Sequence, residues 1–277
     1  MSFAVFLLVL GAAALHAGWN LVVKRAEDKS HVSVMVAAIA GLLAGAALPF
    51  LPAPAPAAWP WIAASVALQV VYWIGLANAY RIADMSRVYP LMRGAAPLIV
   101  AMVSITAFGD HLGPVAWAGV SAISLGIAAL AVSAGVGARR GMGVALATAA
   151  VIAAYTIVDG IGVRRSGSPI AYTAWIFLAT AVPLVLWALL RDPVGLARHA
   201  RRHWPLGLFG GVATLASYGI ALWAMTRAPV AVVAALRETS ILFGIAFAAV
   251  LLKEPVDRRR LVAVTVVVIG AAALRLA

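Results

Sequence analysis

Apolar residues run through this sequence in long unbroken stretches. They show neither the alternation of a half-buried strand nor the one-sided stripe of a surface helix. The stretches fall near 3–23, 31–51, 59–80, 88–108, 114–136, 142–163, 169–190, 205–226, 230–252 and 260–276. Each approaches the roughly 20 residues that carry a helix across about 30 Å of hydrocarbon. Lipid offers no partner to a free backbone N–H or C=O, so only helices or closed barrels can span it, and continuous runs select helices. Turn chemistry marks the joins: Pro52-Ala53-Pro54-Ala55-Pro56, Gly113-Pro114, Ser168-Pro169, Asp192-Pro193, Ala228-Pro229 and Glu254-Pro255. Trp59, Trp61, Trp117, Trp187 and Trp204 lie near span ends, where an amphipathic ring prefers the headgroup level. The pattern predicts an all-α membrane protein of ten transmembrane helices.

Composition agrees. The 277 residues are 65% hydrophobic and 11% charged, a balance that leaves a soluble domain too little polar surface to clothe itself. The formal net charge of +12 would suggest nucleic acid in a soluble protein, but here it sorts by loop. Odd-numbered loops hold Lys24, Arg25, Lys29, Arg81, Arg87, Arg139, Arg140, Arg191, Arg198, Arg201, Arg202, Lys253, Arg258, Arg259 and Arg260. Even-numbered loops and the C-terminal tail hold Arg164, Arg165, Arg227 and Arg275. The positive-inside rule then places the odd loops in the cytoplasm and both termini in the periplasm, in a bacterial inner membrane, with no nucleic-acid partner. Met1-Ser2-Phe3 lacks a basic n-region, so no cleavable signal peptide is expected. The chain has no cysteine, which excludes disulfides, thiolate metal sites and cysteine nucleophiles. It has no GxxxxGK[ST] loop either, so it does not power itself with ATP, and no cofactor is expected.

The two halves repeat. Arg93, Gly109-Asp110 and Gly126 match Arg237, Lys253-Glu254 and Gly270 at a constant separation of 144 residues. Tyr72 and Arg81 match Tyr218 and Arg227, 146 residues apart. This divides the chain into five-helix units at 1–138 and 139–277. Five is odd, so the second unit must enter the membrane inverted, and the basic bias of equivalent loops swaps accordingly. Inverted repeats are a transporter signature, because related halves can rock about a midplane site.

Several short motifs carry a family resemblance. They are Leu15-His16-Ala17-Gly18-Trp19-Asn20, then Gly75-Leu76-Ala77-Asn78-Ala79-Tyr80 leading to Arg87-Val88-Tyr89-Pro90-Leu91, and the Gly109-Asp110 and Lys253-Glu254-Pro255 turns. In this order they resemble the EamA-type ten-helix members of the drug/metabolite transporter superfamily. The resemblance implies a 5+5 inverted fold around a central cavity and, often, export of amino acids or other metabolites. Many such proteins are drawn with both termini in the cytoplasm; the loop charges here predict the reverse.

Ionisable groups at membrane depth are the first candidates for function, since a central charge costs about 2.5–3.5 kcal/mol on insertion scales. Arg93 and Arg237 are repeat-mates, expected above and below a central site, where either could grip a carboxylate bidentately; Arg93 could instead snorkel to the headgroups. Asp159 and Glu238 are the acids at depth. Asp159 sits at the level of Arg237, so the two could form an ion pair, and either carboxylate could instead cycle a proton. His16, Trp19 and Asn20 share a face of span 1, with His16 either packed or in contact with substrate. Gln69, Tyr72, Trp73 and Tyr80 stripe span 3, as a cavity wall or as interhelical packing. Thr214 and Tyr218 occupy the repeat-equivalent region, and Tyr155 and Trp175 complete the candidate lining. The expected cavity is apolar and aromatic with a few polar anchors, suited to a small amphipathic metabolite.

Pro90 and Pro97 in span 4 invite a local break, and Gly41 and Gly45 fit close helix packing. His199 and His203 have metal-ligand spacing but lack a third ligand, so no metal is expected; with Arg198, Arg201 and Arg202 they mark an interfacial segment drawn to anionic lipid. The functional class expected is a secondary transporter, acting as a monomer or weak homodimer. An intramembrane lipid-modifying enzyme and a non-transporting membrane partner protein are the alternatives.

Overall fold

The computed structural model describes residues 1–26, 28–82, 85–109, 111–132, 139–253 and 256–277, and their side chains apart from 22, 24–25, 76–82, 85–89, 106–107, 131–132, 139–141 and 252. Each predicted span is largely helical over its described residues, with 133–136 of the fifth span lying outside them, and no strand occurs among the described residues. In chain order the helices are α1 (Phe3–Arg25), α2 (Lys29–Ala47), α3 (Trp59–Ile82), α4 (Met85–Phe108), α5 (Pro114–Val132), α6 (Arg139–Arg165), α7 (Pro169–Arg191), α8 (Pro193–Met225), α9 (Val230–Arg237), α10 (Ser240–Leu252) and α11 (Arg258–Leu276). Among the described residues, seven helical stretches are long and apolar enough to cross a membrane, and shorter apolar helices cover Pro90–Ile105 and Pro114–Leu130.

The acidic residues are few, and several serve as helix caps. Asp28 accepts from His31 N at 3.0 Å, Asp192 from Gly195 N at 2.8 Å and Asp257 from Arg260 N at 2.7 Å. Each satisfies a backbone donor that helix geometry leaves orphaned and places negative charge at the positive end of the dipole. Span 8 starts earlier than expected. Its first turns, from Pro193, are set off from the transmembrane part by a non-helical His203 (φ −122°, ψ 17°) just before Pro205.

Span 9 is broken into α9 and α10. The backbone N–H groups of Glu238, Thr239, Ile241 and Leu242 bond to carbonyls three residues back, and Thr239 Oγ1 donates to Leu236 O at 2.6 Å. This 3₁₀ tightening needs no proline, so the unbroken apolar run gave no sign of it. The prolines of span 4, in contrast, are absorbed within one continuous α4.

Helix pairings come in reciprocal sets. α1 packs on α8 and α10, α6 packs on α3 and α4, α2 packs on α7, and α5 packs on α11. Exchanging α1 with α6, α2 with α7, α3 with α8, α4 with α9–α10 and α5 with α11 returns the same set. The turns match as well: Gly109 (φ 65°) and Lys253 (φ 55°), 144 residues apart, both adopt left-handed backbone. One seam is unequal. α4 packs closely along α5, whereas among the described residues α10 has no comparable seam with α11.

Small residues set the closest approaches. A Cβ added to Gly270 would lie 2.8 Å from Gly119 O, and one added to Gly41 would lie 2.5 Å from Ala181 Cβ. The α5–α11 and α2–α7 contacts therefore depend on glycines, and for α2 the Gly41/Gly45 spacing predicted close packing. At the end that carries the termini, all four basic residues of the minority charge pattern are occupied. Arg164 lies 5.0 Å from the Phe108 ring, Arg165 5.1 Å from Trp61, Arg227 5.8 Å from Trp223 and Arg275 5.5 Å from Phe3. Arg164 also donates to Met225 O at 2.8 Å and Ala228 O at 3.1 Å, capping the C-terminal end of α8.

Candidate functional site

The 3₁₀ turn after α9 projects Arg237 and Glu238 toward α4 and α6. There they enclose a small cavity with Arg93, Ala96, Pro97, Val100, Ile152, Tyr155, Thr156 and Ala234. Its volume is about 10 Å³, scarcely one water, so the helices must part before any metabolite can enter. The surrounding residues are almost wholly buried: Arg93 is 5% exposed, Glu238 5% and Arg237 9%.

Arg93 Nε donates to Glu238 Oε2 at 2.7 Å. Arg93 and Arg237 thus line one cavity, and Arg93 faces it; it does not snorkel to the headgroups. Arg93 Nη2 also lies 3.4 Å from His16 Nε2, while Trp19 Nε1 lies 3.2 Å from His16 Nδ1. A neutral imidazole has one acceptor nitrogen, so His16 can serve only one of these two donors at a time. Asn20 bonds back to His16 O at 2.7 Å along α1, so within the span 1 triplet it is His16 that reaches Arg93.

Arg237 is held differently. Its guanidinium carbon lies 4.8 Å from the centre of the Tyr218 ring. No acidic side chain lies within ion-pair distance of it among the described residues. The expected Asp159–Arg237 pair does not form. Asp159, fully buried, instead accepts from Tyr172 Oη at 3.1 Å and from Tyr218 Oη in a short hydrogen bond. Hydroxyl donors from α7 and α8 converge on this α6 carboxylate, so Asp159 ties three helices together. Tyr172 was missed by sequence reasoning, although its depth, one turn into span 7 beside the loop that follows Asp159's span, was available to suggest it.

The remaining candidates form a second layer. Tyr72 packs edge-on against Tyr155 with ring centres 5.9 Å apart, and Trp73 lies 6.5 Å from Tyr72. Gln69 Nε2 donates to Ser65 Oγ at 3.0 Å along α3. Trp175 does not line the cavity: it meets Trp59 edge-on with ring centres 5.0 Å apart and packs against the hydrophobic core. Thr214 does not line the cavity either. The side chain of Tyr80 lies outside the described residues.

Two guanidiniums, the Glu238 carboxylate and the Tyr155 ring line the cavity, and the Tyr218 ring stacked on Arg237 links it to Asp159. Among the described residues, no group of three His, Asp or Glu side chains could hold a metal ion. Residues 139–276 match the model of the EamA-like transporter family. Comparison with curated proteins gives no match. A solved crystal structure of a protein 20% identical in sequence superposes with a TM-score of 0.79 over 99% of this chain and 98% of that one, so the fold is shared. The chain therefore carries an EamA-like transporter domain over residues 139–276, on a fold shared along its whole length.

Proposed function

We propose that the protein is a secondary transporter exporting small carboxylate-bearing metabolites, amino acids foremost, across the inner membrane by alternating access. The observation that carries this reading is Arg237. It is a buried guanidinium stacked on an aromatic ring, beside an arginine that already has its carboxylate and with no acid of its own among the described residues. A charge this costly at membrane depth is retained for a purpose, and a planar fork of donors suits a substrate carboxylate. The ammonium of an amino acid then competes with Arg93 for Glu238, so substrate entry and loosening of the α4–α9 link are one event.

Residues 1–138 and 139–277 act as the two inverted five-helix halves, with ten spans and both termini in the periplasm. Reciprocal helix pairings, the matched left-handed turns at Gly109 and Lys253, and the loop charges support this layout. The unequal α4–α5 and α10–α11 seams fit two halves caught in different conformations, whose exchange would open the opposite side.

The test is flux. Purified protein in liposomes should move labelled amino acids unchanged. Chemical conversion of a lipid would select an intramembrane enzyme, and neither flux nor product a non-transporting partner protein. A reporter fused after Ala277 checks orientation: activity in the cytoplasm would reverse it.

A further inference from the structure

We propose that the first segment of α8, Pro193 to Arg202, is a binding site for the headgroup of an anionic phospholipid in the leaflet facing the odd-numbered loops. Val194, Ala197, Arg198 and Arg201 recur at helical spacing on one face, and with Pro193 and Arg202 they line an open cleft of about 580 Å³. Three arginines face this cleft and no acidic side chain lines it. The one carboxylate close by in sequence, Asp192, is committed to the helix cap and to His31, whose Nε2 lies 3.4 Å from it.

The opposite face of the segment is already occupied. His199 stacks on His31 of α2 with ring centres 5.8 Å apart, which fixes the helix against the protein and turns the arginines outward. The break at His203 lets this segment run apart from the transmembrane part of α8. Large apolar side chains flank it: Leu190 is 80% exposed, Val194 65%, Trp204 59% and Trp187 48%. A phosphate has three guanidiniums to meet, and an acyl chain has apolar surface directly beneath them. This combination selects a lipid over a free phosphate ion, because the ion has no use for the apolar rim. The proposal is independent of what the central cavity carries.

The experiment uses the full chain in nanodiscs of phosphatidylcholine containing brominated phosphatidylglycerol or, separately, brominated phosphatidylcholine. Subtracting the emission of Trp204→Phe isolates quenching at Trp204. The expected result is stronger quenching by the anionic lipid, with its preference reduced on the order of 100-fold in Arg198→Gln/Arg201→Gln/Arg202→Gln. Arg201→Gln alone, an exposed single change that leaves the fold intact, should show a smaller loss of the same sign. Equal quenching by the two lipids in the wild type overturns the site. So does a preference that survives the triple substitution, or one that added inorganic phosphate abolishes.

Discussion

Arg93 of α4 and Glu238, in the turn after α9, form a 2.7 Å ion pair between the first and second halves of the chain. Both are nearly inaccessible to solvent. In such surroundings the pair itself adds little net stability against well-packed apolar residues, because desolvation consumes most of the Coulomb attraction, yet orphaning one partner is expensive. Glu238→Gln should therefore destabilise the protein by roughly 3–5 kcal/mol. Replacing both residues with Met should recover much of that loss while abolishing transport. Thermal unfolding in one detergent, paired with flux, checks both halves of this prediction. Equal stability of Glu238→Gln and wild type would show that the pair is not structural.

Asp159→Asn should lower stability by about 1–3 kcal/mol, because an amide that must both donate and accept cannot satisfy two hydroxyl donors as a carboxylate does. If the carboxylate serves only to tie α6 to Tyr172 and Tyr218, the pH profile of flux should keep its shape in the variant. Loss of a proton-dependent limb of that profile, with the protein folded, would give Asp159 the coupling role instead.

The loop before α2 supplies a pH dependence of known sign. Partial burial pushes the Asp28 carboxyl up, but hydrogen bonds from the His31 backbone N–H and ring outweigh it and hold it below its ordinary value. A carboxyl depressed in the folded state stabilises above its unfolded pKa, near 4, and loses that contribution as pH falls through the folded value. Asp28→Ala should therefore lower Tm at neutral pH, and the gap to wild type should close in acid. A gap independent of pH would show that the cap acts without its charge.

Lys253 holds a left-handed backbone, as Gly109 does 144 residues earlier. Lys253→Gly should relieve about 1 kcal/mol of strain and raise Tm by a small amount. No change in Tm would mean that the turn is not strained.

The all-helical, apolar character of the fold could be read from the chain, because lipid imposes long apolar runs. Arg93, Arg237, Glu238, Asp159 and Tyr218 stood out because polar groups are conspicuous against so apolar a background. Their pairing did not. Whether Glu238 meets Arg93 or Arg237 depends on the 3₁₀ turn at Glu238–Thr239, and that turn arises from backbone bonds three residues back with no proline or glycine to announce it. Arg164 misled in a similar way: counted only as a loop charge, it spends its donors on Met225 and Ala228 carbonyls. Trp175 and Tyr155 are indistinguishable as aromatic residues in apolar runs, and only packing separates the one against Trp59 from the one in the cavity wall.

The central claim is that Arg237 grips the substrate's carboxylate. Charge-assisted hydrogen bonds of about 1.5–3 kcal/mol correspond to roughly a 10- to 150-fold loss of apparent affinity when the guanidinium is removed. The direct measurement is concentration-dependent flux of a labelled amino acid into proteoliposomes for wild type, Arg237→Lys and Arg237→Ala, with Tm measured on the same samples. The predicted result is a rise in KM in that range for Arg237→Ala and a smaller rise for Arg237→Lys. The amide derivative of the same amino acid, lacking the carboxylate, should be transported equally poorly by all three. A folded Arg237→Ala protein with unchanged KM and flux would contradict the account.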